Sequence, residues 1–186
     1  GQDGAIHAAS ATSKSLVSLE ANDKGWEEAT NTSLKLTSGT DLAITAVGDK
    51  PVVLERSTGI LHLPEGKTVN LDTSGLALQQ PGPDADSVLV ASRNELISIP
   101  LDGGKVTRTP SSKEKSAPEG VAAQPVRLGK CVYAAWSGSG QFVRSCSGLF
   151  SGGTETLHVD KLAASSAPIF RVNRDAIVLN DLETGS

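Results

Sequence analysis

The chain has 186 residues, of which 38% are hydrophobic, only 3% are aromatic and none is methionine. This is enough apolar material for one domain or a large part of one, so disorder of the whole chain is excluded. The formal net charge of −4 offers no basic surface for nucleic acid and no polybasic patch for a membrane.

The N-terminal half predicts short strands joined by tight turns. Ala5 to Glu20 indicates a hairpin about Ser13, and Leu42 to Leu71 indicates a meander of three strands whose first turn is Gly48-Asp49. Between them, Ala21 to Ala29 contains residues that cap helices but is interrupted by a glycine. For that segment we expect a loop or one helical turn.

The middle of the chain repeats the same plan. Ser87 to Thr109 predicts three short strands joined by turns at Arg93-Asn94 and Asp102-Gly103-Gly104. The segment that follows, Pro110 to Gln124, is polar and rich in residues that break regular structure. It predicts an exposed loop between two repeats and not a domain boundary, because the repeat pattern continues beyond it.

A repeat of the same kind closes the sequence and fixes the predicted fold. Ile169 to Gly185 indicates a meander that turns at Arg174-Asp175 and ends in a Glu183-Thr184-Gly185 turn. Taken over five copies, the first turns lie near positions 13, 49, 94, 139 and 175, a mean spacing of roughly 40 residues that is typical of β-propeller blades.

The predicted fold is all-β, with propeller-like repeats of antiparallel meanders that make four to five blades or part of a larger propeller. We expect 1–186 to be a single propeller-like domain and a fragment of a longer chain. A β-sandwich, which needs no such period, is the alternative.

Two cysteines lie in the fourth repeat. Cys131 and Cys146 flank a stretch that alternates apolar and polar residues about a Gly138-Ser139-Gly140 centre, which predicts a β-hairpin. Folding about this turn places the cysteines opposite each other, with Cβ atoms about 4.5 to 5.5 Å apart, near the separation of a disulfide. We predict a Cys131–Cys146 disulfide, with two buried thiols in a cytosolic protein as the alternative. Because disulfides persist in oxidising compartments, the bridge favours an exported protein.

Trp136 lies on the same predicted hairpin and has two interpretations. As a functional residue it would contact a partner at the end of its blade. As a structural residue it would pack over the neighbouring disulfide, and this interpretation is favoured.

No group of residues predicts catalysis or a bound metal. His7, His62 and His158 lie in separate repeats without ligand spacing, so we expect partly buried structural histidines. Pro83 to Ser87 brings two carboxylates together but lacks the further oxygen ligands of a calcium loop. No serine lies in a Gly-x-Ser-x-Gly elbow, and no glycine-rich phosphate loop precedes a helix. We therefore predict no enzyme activity, no catalytic residue, no metal and no cofactor.

Two stretches carry a family resemblance. Pro125 to Cys146, with its Cys-Val-Tyr-Ala-Ala-Trp strand, and Phe170 to Leu182 resemble the N-terminal extracellular propeller-like region of large actinobacterial surface proteins. In those proteins a membrane anchor precedes this region, and tandem Ig-like or fibronectin type III-like domains follow it. The resemblance implies a cell-envelope location, with the anchor outside this segment, and a piece of a much longer chain. It carries no catalytic motif, so no site residues transfer.

Two functions of different classes remain. The favoured one is a non-catalytic extracellular binding or scaffolding module of a bacterial cell-surface protein, whose partner is a protein or a glycan. The alternative is a ligand-sensing or enzymatic propeller with its site in the central channel. No apolar run reaches the roughly 18 to 20 residues of a membrane span, so we expect no membrane insertion by this segment. Exposed strand edges of an incomplete propeller also predict a homodimer.

Overall fold

A computed structural model describes residues 1, 4–147, 153–165, 167–183 and 185, and they form antiparallel sheets with one short helix. The predicted all-β class is confirmed. The strands are, in chain order, β1 (Ile6–Ser10), β2 (Ser15–Leu19), β3 (Ala21–Asn22), β4 (Gly25–Trp26), β5 (Thr30–Ser33), β6 (Leu42–Val47), β7 (Lys50–Glu55), β8 (Ile60–His62), β9 (Thr68–Asn70), β10 (Ala77–Leu78), β11 (Ser87–Ala91), β12 (Glu95–Pro100), β13 (Thr107–Pro110), β14 (Val121–Ala122), β15 (Val126–Leu128), β16 (Cys131–Ser137), β17 (Gln141–Cys146), β18 (Gly153–His158), β19 (Pro168–Asn173) and β20 (Ala176–Asp181). The helix α1 is Asp160–Ala163, and a 3-10 turn covers Pro64–Gly66. None of the described helices has the length and apolar character needed to cross a bilayer.

Most strands pair with their neighbours in sequence, as in a meander. Two sheets have four strands, β6-β7-β8-β9 and β10-β11-β12-β13. A third has five, in the order β14-β16-β17-β18 with β15 also paired to β16. The smaller sheets are β1-β2-β5, β3-β4 and β19-β20.

The five predicted first turns are all hairpin turns in the structure, and they join β1 to β2, β6 to β7, β11 to β12, β16 to β17 and β19 to β20. A third strand pairs with the second strand of four of these hairpins: β5 on β2, β8 on β7, β13 on β12 and β18 on β17. In the β6–β9 sheet the repeated hairpin forms the first two strands at one edge. In the two sheets that follow, it forms the two middle strands. The repeated element is therefore a hairpin with an outer strand, and not a sheet of fixed size. The predicted last turn includes Thr184, which lies outside the described residues.

Two segments differ from expectation. Ala21 to Ala29 forms the ribbon β3–β4, because Gly25 adopts a φ of 125° that closes a turn and the Asn22 side chain accepts a hydrogen bond from the Lys24 N–H at 2.8 Å. Trp26 on this ribbon is 56% exposed. In the predicted loop Pro110 to Gln124, Val121 and Ala122 form β14, which pairs with β16.

The chain divides into two compact units, and each unit is formed by three separate stretches of sequence. Unit 1 comprises Gly1–Ser74, Pro81–Val88 and Ile99–Lys105, and unit 2 comprises Gly75–Gln80, Leu89–Ser98 and Val106–Ser186. Two of the boundaries fall inside strands, one in β11 and one in β12. The single domain expected over 1–186 stays a prediction.

Central strands are buried on both faces, as their apolar sequences predict. In unit 1, Val52, Val53 and Leu54 follow one another along β7 and are all at most 1% exposed. In unit 2, Leu89, Val90 and Ala91 are consecutive and fully buried. Since successive strand residues point to opposite faces, each of these strands is covered on both sides.

Three glutamines of unit 2 connect segments that are distant in sequence. The Gln79 side-chain carbonyl accepts the Leu89 N–H at 2.7 Å, and the Gln80 amide donates to the Phe170 carbonyl at 2.9 Å. Gln124 donates to the Leu78 carbonyl at 3.3 Å. These side chains satisfy buried backbone groups that a strand ladder leaves open.

The turn between β6 and β7 is crossed by a second segment of unit 1. The Gly48 N–H donates to the Gly82 carbonyl at 3.0 Å, and the Gly82 N–H donates to the Ala46 carbonyl at 3.1 Å. Gly48 has a φ of 64°, and a Cβ there would lie 3.0 Å from the Asp84 Cβ. Glycine is therefore required at position 48 both by backbone conformation and by the close approach of Asp84.

Replacing Gly48 with alanine should destabilise unit 1 more than the same change at Gly39. Gly39 also has a positive φ of 71°, but no atom lies within 4 Å of an added Cβ. Gly39→Ala should cost about 1–2 kcal/mol of unfolding free energy for the backbone alone. Gly48→Ala should cost about 1–3 kcal/mol more through crowding. Urea unfolding of both variants measures the difference. Equal losses of unfolding free energy would show that the segment near Asp84 moves away from an added Cβ without cost.

Candidate functional site

The predicted disulfide is present and defines the hairpin of β16 and β17. Cys131 lies directly opposite Cys146 in the strand register, with Cα atoms 4.0 Å apart and the two sulfurs bonded. The turn at Gly138 and Gly140 uses positive φ values of 79° and 71°, as the Gly-Ser-Gly centre predicts. This register places Trp136 opposite Gln141, at the other end of the hairpin from the disulfide.

Trp136 is a core residue, and the structure corrects the prediction that it contacts a partner. Its side chain is fully buried, and its Nε1–H donates to the Ser92 carbonyl at 2.6 Å. It does not pack over the disulfide either, since it belongs to a cluster with residues of three other strands and its own: Leu89, Ala91, Leu96, Ala134 and Val143. A Cβ on Gly120 would lie 2.6 Å from the Ser137 carbonyl oxygen and 2.8 Å from the Trp136 Cβ, so glycine at 120 leaves room for the strand that carries Trp136.

Unit 1 contains a buried carboxylate–imidazole pair. Glu55 ends β7 and His62 ends β8, on the same face of the sheet, and His62 Nε2 lies 2.7 Å from Glu55 Oε1. The second carboxylate oxygen accepts the Thr37 N–H at 3.1 Å and the Thr58 hydroxyl at 3.3 Å. Every oxygen of this carboxylate is therefore occupied, which is typical of a structural group that holds a loop and a turn to the sheet.

The surroundings of Glu55 act on its pKa in opposite directions. Burial is the largest single influence and raises the pKa, but the hydrogen bonds from His62 and Thr37, together with the charge of His62, outweigh it. The net effect lowers the Glu55 pKa from its ordinary value of 4.5. The carboxylate form is thus favoured in the folded state, and it stabilises the fold above that pH.

The other two histidines behave differently from each other. His7 is half-buried and its Nδ1 lies 2.8 Å from the Ser18 hydroxyl, so it is structural, as is His62. His158 is exposed, against expectation, and lies 3.3 Å from an Asp160 carboxylate oxygen. Within the described residues, no three His, Cys, Asp or Glu side chains come together as metal ligands would. In the predicted acidic loop, Asp84 forms an ion pair with Lys50 at 3.2 Å, which raises the Lys50 pKa.

Unit 2 contains an open apolar cleft of about 610 Å³. It lies among β17, β18, helix α1 and the β19–β20 hairpin. Its apolar lining is Phe142, Leu157, Val159, Leu162, Pro168 and Leu179. A cavity of this size and polarity falls within the usual range of ligand pockets. The sequence alone did not reveal it, because its walls come from three separate stretches: Phe142, residues between Leu157 and Pro168, and Leu179 to Asp181.

A few polar groups surround this cleft. Lys161, Asn180 and Asp181 contribute one positive group, one amide and one negative group to its lining. The Ser165 hydroxyl also lines the cleft and is buried without a hydrogen-bond partner in the described part of the chain. A buried hydroxyl without a partner is an unmade hydrogen bond that a bound molecule can complete.

Exposed apolar side chains are most frequent in the last part of the chain, and two of them, Leu157 and Val159, line the cleft. Nine large hydrophobic residues of the described chain are exposed, and five of them lie between residues 153 and 183: Leu157, Val159, Val172, Val178 and Leu182. Contiguous exposed apolar surface is uncommon on isolated soluble domains and marks interaction surfaces.

Comparison with known proteins shows likeness of fold alone. Neither a protein-family model nor a curated protein sequence matches the chain. Among solved structures, Citrobacter koseri AztD is similar with a TM-score of 0.58 and 14% identity, over all of this chain and 54% of that one. Kluyveromyces lactis Hsv2 is similar with a TM-score of 0.53 and 9% identity, over all of this chain and 59% of that one. The chain thus spans little more than half the length of either protein.

The disulfide should be present in protein purified without reductant. We expect an intact mass two hydrogens below that of the reduced chain, and no alkylation of Cys131 or Cys146 before reduction. Replacing both cysteines with serine should lower the unfolding free energy by about 3 kcal/mol, because the bridge closes a 15-residue loop of the unfolded chain. Two freely alkylated thiols would contradict the bridge.

Glu55→Gln should remove part of the acid sensitivity of the fold. At neutral pH the unfolding free energy of Glu55→Gln should be about 1–3 kcal/mol lower than that of the parent, because a buried hydrogen-bond network is broken. A group whose pKa is lowered on folding stabilises the protein above its ordinary pKa of 4.5 and loses that effect as pH falls through the folded value. The difference in unfolding free energy between the parent and Glu55→Gln should therefore narrow as the pH falls through the folded pKa of Glu55.

Urea unfolding between neutral and acid pH measures this narrowing. Glu20→Gln is the control, since Glu20 is an exposed glutamate of the same unit. If the unfolding free energies of the parent and Glu55→Gln changed with pH in parallel, the lowered pKa of Glu55 in the folded state would be contradicted.

Proposed function

We propose that the chain is a non-catalytic binding or scaffolding module of an extracellular bacterial cell-surface protein, and that the cleft of unit 2 contacts its protein or glycan partner. The observation that carries the proposal is the open apolar cleft, whose lining includes the exposed side chains of Leu157 and Val159. A surface of this kind gains free energy when a partner covers it.

The lining favours a protein segment over a glycan. A sugar presents many hydroxyl groups, each of which loses water hydrogen bonds on burial, and the cleft offers few polar groups to replace them. An extended peptide with apolar side chains needs fewer polar partners. Lys161 and Asp181, of opposite charge, can orient such a segment.

We propose further that the sheets are blades of part of a larger β-propeller. The hairpin with an outer strand recurs along the chain, and the spacing of the first turns is near the roughly 40 residues of a propeller blade.

An extracellular location is supported by the disulfide. Cys131 and Cys146 are the only cysteines of the sequence, and both are in the bridge. Such bridges persist mainly in oxidising compartments. The resemblance to actinobacterial surface proteins agrees with this location.

The proposal is tested by selection of ligands on the purified, oxidised chain. A random-peptide display library and a glycan array are screened against the parent, Leu157→Lys and Trp26→Lys. Leu157 lines the cleft and is 55% exposed, while Trp26 is 56% exposed in the other unit and serves as the matched control.

We expect peptides rich in apolar residues whose affinity falls at least about tenfold with Leu157→Lys and is unchanged with Trp26→Lys. Near-ultraviolet circular dichroism verifies that each variant is folded. Peptides insensitive to Leu157→Lys, or no enriched ligand at all, would overturn the site. Binding of glycans alone would overturn the choice of a protein partner.

A further inference from the structure

A second groove of unit 2, of about 380 Å³, lies beside the loop that follows β13. One wall is that loop, and the other wall is β18, which contributes Thr154 and Thr156. Hydroxyl, amide and charged side chains make up most of the lining, and Pro110 and Ala117 are its apolar members. The groove therefore has a chemical character opposite to that of the apolar cleft.

The β11–β12 turn holds the loop in place at both ends. The Ser111 N–H donates to the Asn94 carbonyl at 2.8 Å, and the Gly120 N–H donates to the Arg93 carbonyl at 3.0 Å. Because both ends of the loop are tied to the same hairpin, the groove has a defined wall on this side.

One hydroxyl group of the lining has no hydrogen-bond partner within the described residues. Ser111 is 3% exposed, and its hydroxyl makes no hydrogen bond there, whereas the Thr154 hydroxyl lies 2.9 Å from the hydroxyl of Ser145. Buried hydroxyl groups are nearly always hydrogen-bonded, because burial without a partner costs about 1–3 kcal/mol. A molecule in the groove that offers oxygen or nitrogen atoms would complete this bond.

Two lysines give the lining an excess of positive charge. Lys113 and Lys115 are exposed, and neither forms an ion pair in the part of the chain that the structure describes. Lys50 and Lys67 of unit 1, by contrast, each pair with a carboxylate. Since Glu114 is the acidic residue of the lining, two positive groups are set against one negative group.

We propose that this groove binds an acidic saccharide. Its acid group contacts Lys113 and Lys115, and its hydroxyl groups bond Ser111 and the other polar side chains of the lining. The site is separate from the cleft and does not depend on the role proposed for the cleft.

The lining favours an acidic sugar over other ligands. Sugar hydroxyl groups donate and accept hydrogen bonds, as the hydroxyl and amide groups of the lining do. A lysine ammonium attracts a carboxylate or a phosphate as a compact charge. Among the described residues no aromatic ring lines the groove, so a neutral sugar or a nucleic-acid base would have no ring to stack on. An apolar peptide would find little surface beyond Pro110 and Ala117.

Two saccharides that differ in their acid groups test the proposal. A trimer of galacturonic acid carries a carboxylate on each ring, where a trimer of galactose with the same linkage carries a hydroxymethyl group. Galactose 6-phosphate is the phosphate-bearing sugar, and inorganic phosphate is the free anion. NMR titration of the isotope-labelled, oxidised chain gives the affinity for each ligand and the residues whose amide signals shift.

Three changes to the chain locate the binding. Lys113→Gln combined with Lys115→Gln removes the charges, and Ser111→Ala removes the buried hydroxyl. Lys130→Gln is the matched control, because Lys130 is an exposed lysine of the same unit that does not line the groove. Leu157→Lys, which tests the cleft, should keep the parent affinity for the acidic trimer, so the groove and the cleft are tested separately.

We expect the acidic trimer to bind the parent at least about tenfold more tightly than the neutral trimer. The double lysine variant should lose about tenfold in affinity, Ser111→Ala about two- to tenfold, and Lys130→Gln none. Near-ultraviolet circular dichroism verifies that each variant is folded.

Acidic sugars that bind no more tightly than the neutral trimer, or equal losses in the double variant and Lys130→Gln, would overturn the proposal. Inorganic phosphate that binds as tightly as either acidic sugar would overturn the choice of a saccharide. A preference for galactose 6-phosphate over the galacturonic acid trimer would support the proposal, with phosphate as the acid group.

Discussion

A two-stranded hairpin buries too little surface to be stable by itself, and this constraint accounts for much of the chain. A repeated hairpin is buried most completely where further strands pair with it and both of its faces are covered. β7 and β11 meet this condition and are nearly fully buried. β19 and β20 do not, and their residues are largely half-buried or exposed. The apolar cleft and the exposed valines occur at the hairpin whose packing is least complete.

Local sequence predicted the features that depend on neighbouring residues. The disulfide followed from alternation about Gly138-Ser139-Gly140, because the turn sets the register and the register sets which residues are opposed. The five hairpin turns followed from glycine, asparagine and aspartate at the ends of apolar runs. The β3–β4 ribbon was missed, because Gly25 was interpreted as the interruption of a helix, whereas its positive φ lets the chain enter β4 directly after the turn at Asp23 and Lys24.

Features that depend on distant residues were not predictable in this way. Trp136 is buried by strands that begin more than thirty residues earlier, and its N–H bonds Ser92, 44 residues away. The Glu55–His62 pair joins the ends of two neighbouring strands, β7 and β8. The only signal for it in the sequence was a carboxylate and an imidazole near the ends of consecutive predicted strands. The walls of the cleft come from three separate stretches of the chain, so no local sequence pattern predicted it. Side-chain burial, and hence the candidate site, required the fold.

The unequal burial of the two tryptophans has a spectroscopic consequence. Trp26 is in unit 1 with its indole largely in water, whereas Trp136 is in unit 2 with its indole enclosed. Indole emission shifts to longer wavelengths in water, so the two residues emit in different parts of the spectrum. Quenching by iodide should select the first, and the second should redden only when the core around it opens. The chain thus carries one tryptophan in each unit, and the two units can be followed separately by tryptophan emission without any label.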